Sequence, residues 1–377
     1  MKNPVLKVFV LCVSLSLCMG AVAMAKTLKI GTLSPITGPY AADGNDIANG
    51  ARIAAEMFKA DGLLKGYDDI EVVSEDSACD PRQAVAAANK LLSQKVAFVD
   101  GAYCSSATIP ASEVLDEGPV PMITPASTNP DVTLRGLKYM WRMCGIDAHQ
   151  SKSAVDFMKD VLQAKTVFIL DDKTTYSQHL AEFVGEESKK AGLTVVAHDH
   201  VNEGDMDFSA VLTKIKAANP DVFYMSLQNS APGISMIKQV RQMGLKCAVL
   251  SQDAVYHPQF IEKAHDAAQG VYFTFGFIDD TKPLYKKFMA AYAKHGTPGG
   301  YAFYSFDATW AMLNAVMKAG STDPDKIREA AMKTDMDGIT KRIKFEANGD
   351  SGSNYIIQMV KGDKFVNYYD PATKKMF

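Results

Sequence analysis

Residues that could bind a small molecule are concentrated in loops that follow predicted strands. Ser105 lies in the loop 101–106, at the point where a predicted helix begins. Thr128 ends a similar loop at 124–128. Hydroxyl groups and free backbone N–H groups at a helix start together suit a carboxylate. Simple N-capping by these two side chains would explain the same pattern equally well. The loops therefore indicate a candidate anion site, with capping as the open alternative.

Tyrosines and aspartates supply further candidate contacts in the same loops. The tyrosines are Tyr40, Tyr103, Tyr176 and Tyr256. Aromatic rings with a polar tip commonly line ligand clefts, although they also cover interfaces between lobes. Asp253 follows a predicted strand and could accept a charge-assisted bond from an ammonium group, or it could cap a helix. Asp171 and Asp172 have the same two interpretations.

Motifs for catalysis and for metal binding are weak in this sequence. It contains no G-x-G-x-x-G, no G-x-x-x-x-G-K-[ST] and no G-x-S-x-G pattern. His198 and His200 would lie on one face of a strand, but zinc needs a third or fourth ligand, and the sequence does not identify one. We therefore predict a solvated strand end there, with no metal, no cofactor and no enzymatic activity.

Alternating strands and helices must position these loops. Short apolar strands, such as 28–33 and 96–99, alternate with helices whose apolar residues recur at helical spacing. Asp80 and Pro81 form an N-cap and first-turn pair at the start of one such helix. The alternation predicts an α/β fold with parallel sheets, divided near residue 145 and ending in a hairpin at 355–368. Ligands bind such sheets at the carboxyl ends of their strands, where these loops lie.

Length and composition agree with a globular protein of two domains. The chain has 377 residues, of which 47% are hydrophobic and 22% charged, and its formal net charge is −3. This near-neutral balance, without basic clusters, argues against a nucleic-acid partner.

The first 25 residues have the layout of a secretory signal peptide. Lys2 and Lys7 are followed by an apolar run at 8–19, and small residues at Ala23 and Ala25 precede Lys26. We expect cleavage after Ala25 and a free periplasmic protein, in preference to a lipoprotein.

An oxidising compartment permits disulfides among the four remaining cysteines, which are Cys79, Cys104, Cys144 and Cys247. Three full pairings are possible. Cys79 and Cys104 follow successive predicted strands and could be neighbours, whereas Cys144 and Cys247 suit buried thiols.

Several motifs in order resemble the leucine/isoleucine/valine-binding protein family, the periplasmic receptors of ABC importers. They are Glu75–Val85 (EDSACDPRQAV), Cys104–Ser112 (CSSATIPAS) and Met122–Thr128 (MITPAST), with further similarity at 30–39 and 168–176. The similarity extends over nearly all of residues 27–370. The resemblance implies a type I periplasmic-binding protein: two Rossmann-like lobes with parallel sheets, joined by a three-strand hinge. Lobe 1 would comprise residues 26–145 plus 277–353, and lobe 2 residues 146–276 plus 354–377.

The resemblance also implies roles for particular residues. It pairs Cys79 with Cys104. The ligand-binding residues would be Ser105, Ala126 (through its backbone), Thr128, Tyr176 and Asp253, together with Tyr103 and Gln228. Asp253 stands where the family often has Glu. The first three would hold the carboxylate and ammonium groups of an amino acid, and Asp253 would take the ammonium group from the other lobe.

The predicted function is therefore capture of an amino acid, branched-chain or related, in an interlobe cleft and its delivery to a membrane permease by a monomeric receptor. Two alternatives remain: a receptor for another small carboxylate such as an aromatic acid, and a ligand-sensing partner of a membrane receptor.

Overall fold

A computed structural model describes residues 26–377, so the predicted signal peptide lies outside the described residues. Between Lys26 and Phe377, no helix is both long enough and apolar enough to cross a membrane.

Strands and helices alternate along the chain as predicted. The strands are β1 (Thr27–Ser34), β2 (Asp69–Asp76), β3 (Val99–Gly101), β4 (Met122–Thr124), β5 (Met140–Arg142), β6 (Thr166–Asp171), β7 (Thr194–His200), β8 (Val222–Ser226), β9 (Ala248–Ser251), β10 (Tyr272–Gly276), β11 (Asp335–Asp337), β12 (Arg342–Lys344), β13 (Tyr355–Lys361), β14 (Lys364–Asp370) and β15 (Lys375–Met376). The helices are α1 (Ala41–Ala60), α2 (Pro81–Ser93), α3 (Ser105–Glu117), α4 (Asp147–Asp160), α5 (Thr175–Ala191), α6 (Ser209–Ala218), α7 (Ser230–Gln242), α8 (Pro258–Ala264), α9 (Pro283–Tyr292), α10 (Gly300–Ala319) and α11 (Pro324–Ala331).

Two large sheets divide the molecule into the two parts that we call lobe 1 and lobe 2. Lobe 1 is built on a five-stranded sheet of order β2-β1-β3-β4-β5, in which every pair is parallel. Lobe 2 is built on an eight-stranded sheet of order β15-β14-β13-β10-β9-β8-β6-β7. Its strands β6 to β10 pair in parallel. The predicted hairpin of β13 and β14 is antiparallel, and β13 and β14 also pair antiparallel with β10 and β15 respectively. The predicted α/β fold class is confirmed.

Burial explains why these segments form parallel strands. Strands β6 and β8 are buried on both faces, as helices on each side of the sheet require. At the start of α2 the Asp80 carboxylate accepts a hydrogen bond from the Gln83 N–H at 2.8 Å, so the predicted cap is present.

The core of lobe 1 contains residues from two distant parts of the chain. One hydrophobic cluster joins side chains of segment 28–144 to side chains of segment 275–345. Helices α1 and α10 pack against each other within it, as the contact of Phe58 with Trp310 at a ring-centroid distance of 5.1 Å shows. The sequence boundaries proposed above for the two lobes stay a prediction.

The chain passes between the two sheets near residues 145, 276 and 353, and these passages lie side by side. The Phe277 N–H donates to the Asn354 carbonyl at 3.0 Å, and the Ile146 N–H donates to Ser353 Oγ at 3.3 Å. A Cβ on Gly276 would lie 1.7 Å from the Tyr304 hydroxyl, so only glycine fits at that approach.

Several short elements were not predicted, namely β5, β11, β12, β15 and α8. The short strand β5 carries Arg142, a fully buried side chain whose Nε lies 2.8 Å from Asp350 Oδ1. A charged residue in a strand of three residues gives little apolar pattern, and its partner lies 208 residues further along the chain.

A buried aspartate within β3 predicts a pH-dependent stability. Burial raises the pKa of Asp100 to about 7, although Ser305 and Thr309 hydrogen-bond to it. The single Ser305 hydroxyl proton has two acceptors in reach, the Ile47 carbonyl at 2.7 Å and Asp100 Oδ2 at 2.6 Å. A protonated Asp100 resolves this conflict because it can donate to Ser305.

Between pH 5 and 7 the folded state therefore holds a proton on Asp100 that the unfolded state, with its ordinary carboxyl pKa of about 3.9, has released. Unfolding free energy should fall as pH rises through this window, by about 1.4 kcal/mol per unit for this group. We expect Asp100→Asn to remove that contribution, so that the variant gains stability relative to the wild type from pH 5 to 7 in urea unfolding. A difference between the two proteins that does not change with pH would contradict the prediction.

Candidate functional site

The two predicted anion-binding loops of lobe 1 are joined by hydrogen bonds. Thr124 Oγ1 donates to the Ala102 carbonyl at 2.8 Å and accepts from the Ser127 N–H at 3.0 Å. Ser127 Oγ lies 2.9 Å from the Tyr103 carbonyl oxygen and 2.6 Å from Thr108 Oγ1. These bonds fix the loop after β3 against the loop after β4. Both loops therefore present their remaining polar groups from a rigid frame.

The hydroxyls of Ser105 and Thr128 are buried and make no hydrogen bond to any described residue. Cys104 occupies the N-cap position of α3, and Asn129 that of the short 3-10 helix at 130–132, so neither hydroxyl caps a helix. The capping alternative is thus not what the structure shows. Ala126 lies in the same loop as Thr128 and is 5% exposed. A buried hydroxyl without a partner is costly unless a ligand or water satisfies it.

A disulfide holds the start of α3. Cys79 and Cys104 are bonded, with a Cα–Cα distance of 5.5 Å, as the family resemblance implies. Cys144 is a buried free thiol and Cys247 a partly buried one, in agreement with the prediction for this pair. The bond ties Ser105 and the first turn of α3 to the loop after β2.

We expect the double substitution Cys79→Ser with Cys104→Ser to lower the unfolding free energy by about 3.5 kcal/mol, because the bond closes a loop of 25 residues. Urea unfolding of the oxidised wild type and the variant measures the difference. Reduction of the wild type with dithiothreitol should give the same loss. Cys144→Ser, which removes a free thiol and keeps the disulfide, is the control and should not show this loss. A variant as stable as the oxidised wild type would contradict the expectation.

Lobe 2 contributes Tyr176 and Asp253, which are in direct contact. The Tyr176 hydroxyl donates to Asp253 Oδ1, and Gln150 Nε2 donates to the same oxygen at 2.9 Å. Gln150 Nε2 also lies 2.9 Å from Thr274 Oγ1. Asp253 therefore does not cap a helix through its carboxylate; Gln252 fills that position. Burial raises the pKa of Asp253 above its usual range, against the lowering effect of these hydrogen bonds.

Tyrosines from both lobes surround this carboxylate. Burial, together with the charge of Asp253, raises the pKa of the hydroxyls of Tyr103, Tyr176, Tyr224, Tyr301, Tyr304 and Tyr355. Tyr103 and Tyr301 belong to lobe 1 elements and pack edge to face at a ring-centroid distance of 5.4 Å. The charge of Asp253 acts on the Tyr103 hydroxyl, and Tyr103 lies in the same loop as Ser105, so this loop of lobe 1 lies near the buried acid of lobe 2. The ring hydroxyls of Tyr224 and Tyr355 have no hydrogen-bond partner among residues 26–377.

Contacts across the rim show that the two lobes are closed on this space. Asn229 Nδ2 donates to the Pro39 carbonyl at 2.7 Å, and Asn129 Nδ2 donates to the Thr175 carbonyl at 3.2 Å. The Tyr40 hydroxyl also bonds Glu203 across the gap. The predicted contact Gln228 lies at this rim. It lines a concavity of about 460 Å³ together with residues that include Tyr40, Cys104, Ser106 and Thr174.

Other polar candidates have structural roles. The Asp172 carboxylate accepts hydrogen bonds from the Gln228 N–H at 2.7 Å and from Thr174 Oγ1 at 2.8 Å, which orders the loop before α5. Tyr256 stacks on Phe275 at a ring-centroid distance of 4.2 Å and so covers an interface.

Two site residues, Gln150 and Tyr301, were missed. Each lies on a helix, α4 or α10, and not in a loop after a strand. Gln150 is fully buried with an unpartnered Oε1, but a glutamine among the polar residues of a helix gives no local signal of burial.

Residues 27–364 match the periplasmic binding protein family. An amino acid binding protein of Pseudomonas aeruginosa is 38% identical over 87% of this chain and 88% of its own length. A leucine-, isoleucine-, valine-, threonine- and alanine-binding protein of the same organism is 33% identical over 86% of this chain and 87% of its own.

Solved structures are also similar to this chain. The substrate-binding protein of a branched-chain amino acid transporter from Streptococcus pneumoniae, in complex with isoleucine, superposes with a TM-score of 0.83 at 27% identity, covering 90% of this chain and 98% of that one. The chain belongs to the periplasmic binding protein family, and within it to the branched-chain amino acid-binding group.

Proposed function

We propose that this protein is the substrate-binding component of an ABC importer, which captures an amino acid, branched-chain or related, between its lobes. One observation carries the proposal: the buried carboxylate of Asp253 on lobe 2 lies near Tyr103, in the lobe 1 loop that also carries the buried, unpartnered hydroxyl of Ser105. An α-amino acid has complementary groups at one end, an ammonium and a carboxylate. The names of the relatives, amino acid-binding proteins from the same family, support the same class of ligand.

In the proposed complex each charged end of the ligand meets one lobe. The ligand carboxylate accepts from Ser105 Oγ and Thr128 Oγ1 and lies near the N-terminus of the 13-residue helix α3, whose dipole favours an anion. The backbone of Ala126 completes that side. The ligand ammonium donates to Asp253, which Tyr176 and Gln150 hold in place. A charge-assisted bond in a water-excluded site is stronger than one at the surface.

Closure follows from contacts that exist only when both lobes meet the ligand. Ligand that enters the open cleft first binds the Ser105 and Thr128 side, and Asp253 then adds its contact as the lobes close. Because a ligand shifts a conformational equilibrium only by its differential affinity, the Asp253 contact favours the closed form. The closing movement bends the side-by-side passages near residues 145, 276 and 353.

The cellular setting of the proposal comes from the sequence and the family. The signal-like segment 1–25 directs the chain to the periplasm, where the mature protein works as a monomer and delivers its ligand to a membrane permease. The receptor binds and releases its ligand without chemical change.

A thermal-shift and calorimetry screen tests the proposal. The probes are L-leucine, L-isoleucine, L-valine, L-phenylalanine, benzoate and 4-methylpentanoate, which is leucine without its amino group. We expect at least one amino acid to raise the unfolding temperature, because a ligand at a hundred times its Kd stabilises by about 2.7 kcal/mol. Benzoate or 4-methylpentanoate binding as tightly as the best amino acid would overturn the assignment of Asp253 to an ammonium group and favour a receptor for simple carboxylates.

A further inference from the structure

Three side chains that are potential metal ligands, none of them among the proposed amino-acid-binding residues, meet at the edge of the lobe 2 sheet. They are Asp171 at the end of β6 and His198 and His200 on the neighbouring strand β7. Parallel pairing sets Asp171 beside His200 and Ile169 beside His198. Residues two apart on a strand share a face, so both imidazoles lie on the side of the sheet where the carboxylate stands.

The distances are close to those of a coordination shell. Asp171 Oδ2 lies 2.6 Å from His198 Nε2 and 2.8 Å from His200 Nδ1, and the three ligand atoms all lie within 4.8 Å of one another. Ligand atoms around a tetrahedral zinc ion, at about 2.0–2.1 Å from the metal, are separated by about 3.3 Å. Side-chain rotations that widen these two contacts by about 0.5–0.7 Å would therefore make room for the ion.

The carboxylate is fixed and oriented, whereas the imidazoles have freedom to move. Asp171 is fully buried, and its Oδ1 accepts from the Lys173 N–H at 2.9 Å, which leaves Oδ2 directed at the histidines. The side chain of His198 is 25% exposed and that of His200 41% exposed. Their exposed side lets a water molecule complete a fourth position.

A purely structural triad is the competing explanation. In that case one carboxylate oxygen accepts from two imidazole rings whose centroids lie 4.8 Å apart. Two neutral imidazoles can both donate to Asp171 Oδ2, because a carboxylate oxygen has two lone pairs, so this explanation needs no metal. Metal binding differs in that both nitrogens must offer a lone pair to the ion instead of a proton to the carboxylate, and the titration below distinguishes the two.

We propose that Asp171, His198 and His200 bind one divalent transition-metal ion of the zinc type. Two imidazole nitrogens with one carboxylate oxygen suit Zn²⁺ and its first-row neighbours better than Ca²⁺ or Mg²⁺, which prefer all-oxygen shells. The third ligand comes from a different strand, 27 residues before His198, which is why the His-Asp-His sequence alone did not identify it. This site is independent of the proposed amino-acid cleft, and either can fail without the other.

Calorimetric titration of Zn²⁺ into the full-length chain, purified without a polyhistidine tag and stripped with EDTA, tests the proposal. We expect one equivalent to bind, and His198→Gln or His200→Gln to weaken binding at least about tenfold, the loss that even outer-shell partners produce. Asp199→Asn is the matched control, because Asp199 lies on the opposite face of β7 and pairs with Lys214 at 2.6 Å. Both histidines are partly exposed, so their glutamine variants should fold normally.

The coordinating nitrogens give a second, sharper test. The geometry assigns Nε2 to His198 and Nδ1 to His200, and ¹⁵N NMR of the imidazole rings with Zn²⁺ should show metal-induced shifts on those two nitrogens. Wild-type affinity in both glutamine variants, or zinc shifts confined to other histidines, would overturn the proposal. Equal losses in Asp171→Asn and Asp199→Asn would also overturn it, since only the first is a ligand.

Discussion

We expect Asp253→Asn to weaken amino-acid binding by about 2 kcal/mol or more, a loss of at least about thirtyfold in Kd, while the ligand-free protein keeps or gains stability. Removing one member of a buried charge pair costs about this much because the other charge is left unpaired. Both donors to Asp253, Tyr176 and Gln150, contact Oδ1, which an asparagine side chain can still offer them. Burial raises the pKa of this carboxyl, so its charge is unfavourable without a ligand and its removal should not destabilise the apo fold.

The opposite signs of the two effects make the experiment decisive. Calorimetry with L-leucine and L-isoleucine measures affinity, and thermal unfolding without ligand measures stability. Asp363→Asn, which neutralises an exposed acid in the β13–β14 turn, is the control for a change of net charge. Unchanged affinity in Asp253→Asn would remove this residue from the site, whereas loss of both affinity and stability would assign it to the fold.

The same carboxyl predicts how binding depends on pH. Only the ionised form can pair with an ammonium group, and burial raises the pKa of Asp253 in the closed apo protein. As pH is lowered, affinity is therefore expected to fall earlier than an ordinary carboxyl pKa of about 3.9 would give. Asp253→Asn should lack this dependence.

Much of the architecture could be predicted because its signals are local. Apolar strands, helical spacing and the Asp80 cap all act within one turn or one strand, and together they placed the loops around Ser105, Thr128 and Asp253 at the carboxyl ends of strands. The cysteines alone left several pairings open; the family resemblance selected the Cys79–Cys104 bond that the structure contains.

Contacts that depend on sheet register and on lobe closure could not be predicted from the sequence. Gln150 reaches Asp253 across 103 residues, and Tyr301 approaches it from the other lobe. Asp171 joins His198 only because β6 and β7 are adjacent in the sheet. Whether Ser105 and Thr128 cap helices or face a cleft depended on the same long-range placement, since both hydroxyls are equally suited to either role.

The hydroxyls of Ser105 and Thr128 should contribute to binding and not to folding. We expect the double substitution Ser105→Ala with Thr128→Val, which removes the two hydroxyls and keeps the buried Thr128 methyl, to weaken amino-acid binding by about 3 kcal/mol or more, at least about a hundredfold, since each hydrogen bond to a charged group contributes about 1.5–3 kcal/mol. The unfolding free energy of the apo protein should not fall, because neither hydroxyl has a hydrogen-bond partner within residues 26–377.

Thr124→Ala is the matched contrast, from the same loop as Thr128. Its hydroxyl makes two hydrogen bonds inside the frame, to the Ala102 carbonyl at 2.8 Å and from the Ser127 N–H at 3.0 Å. We expect this variant to lose about 1–3 kcal/mol of stability, because a buried carbonyl and a buried N–H lose their partner. If the double variant loses stability as Thr124→Ala does and binds amino acids as the wild type does, then Ser105 and Thr128 support the loops, and the ligand carboxylate must bind elsewhere in the cleft.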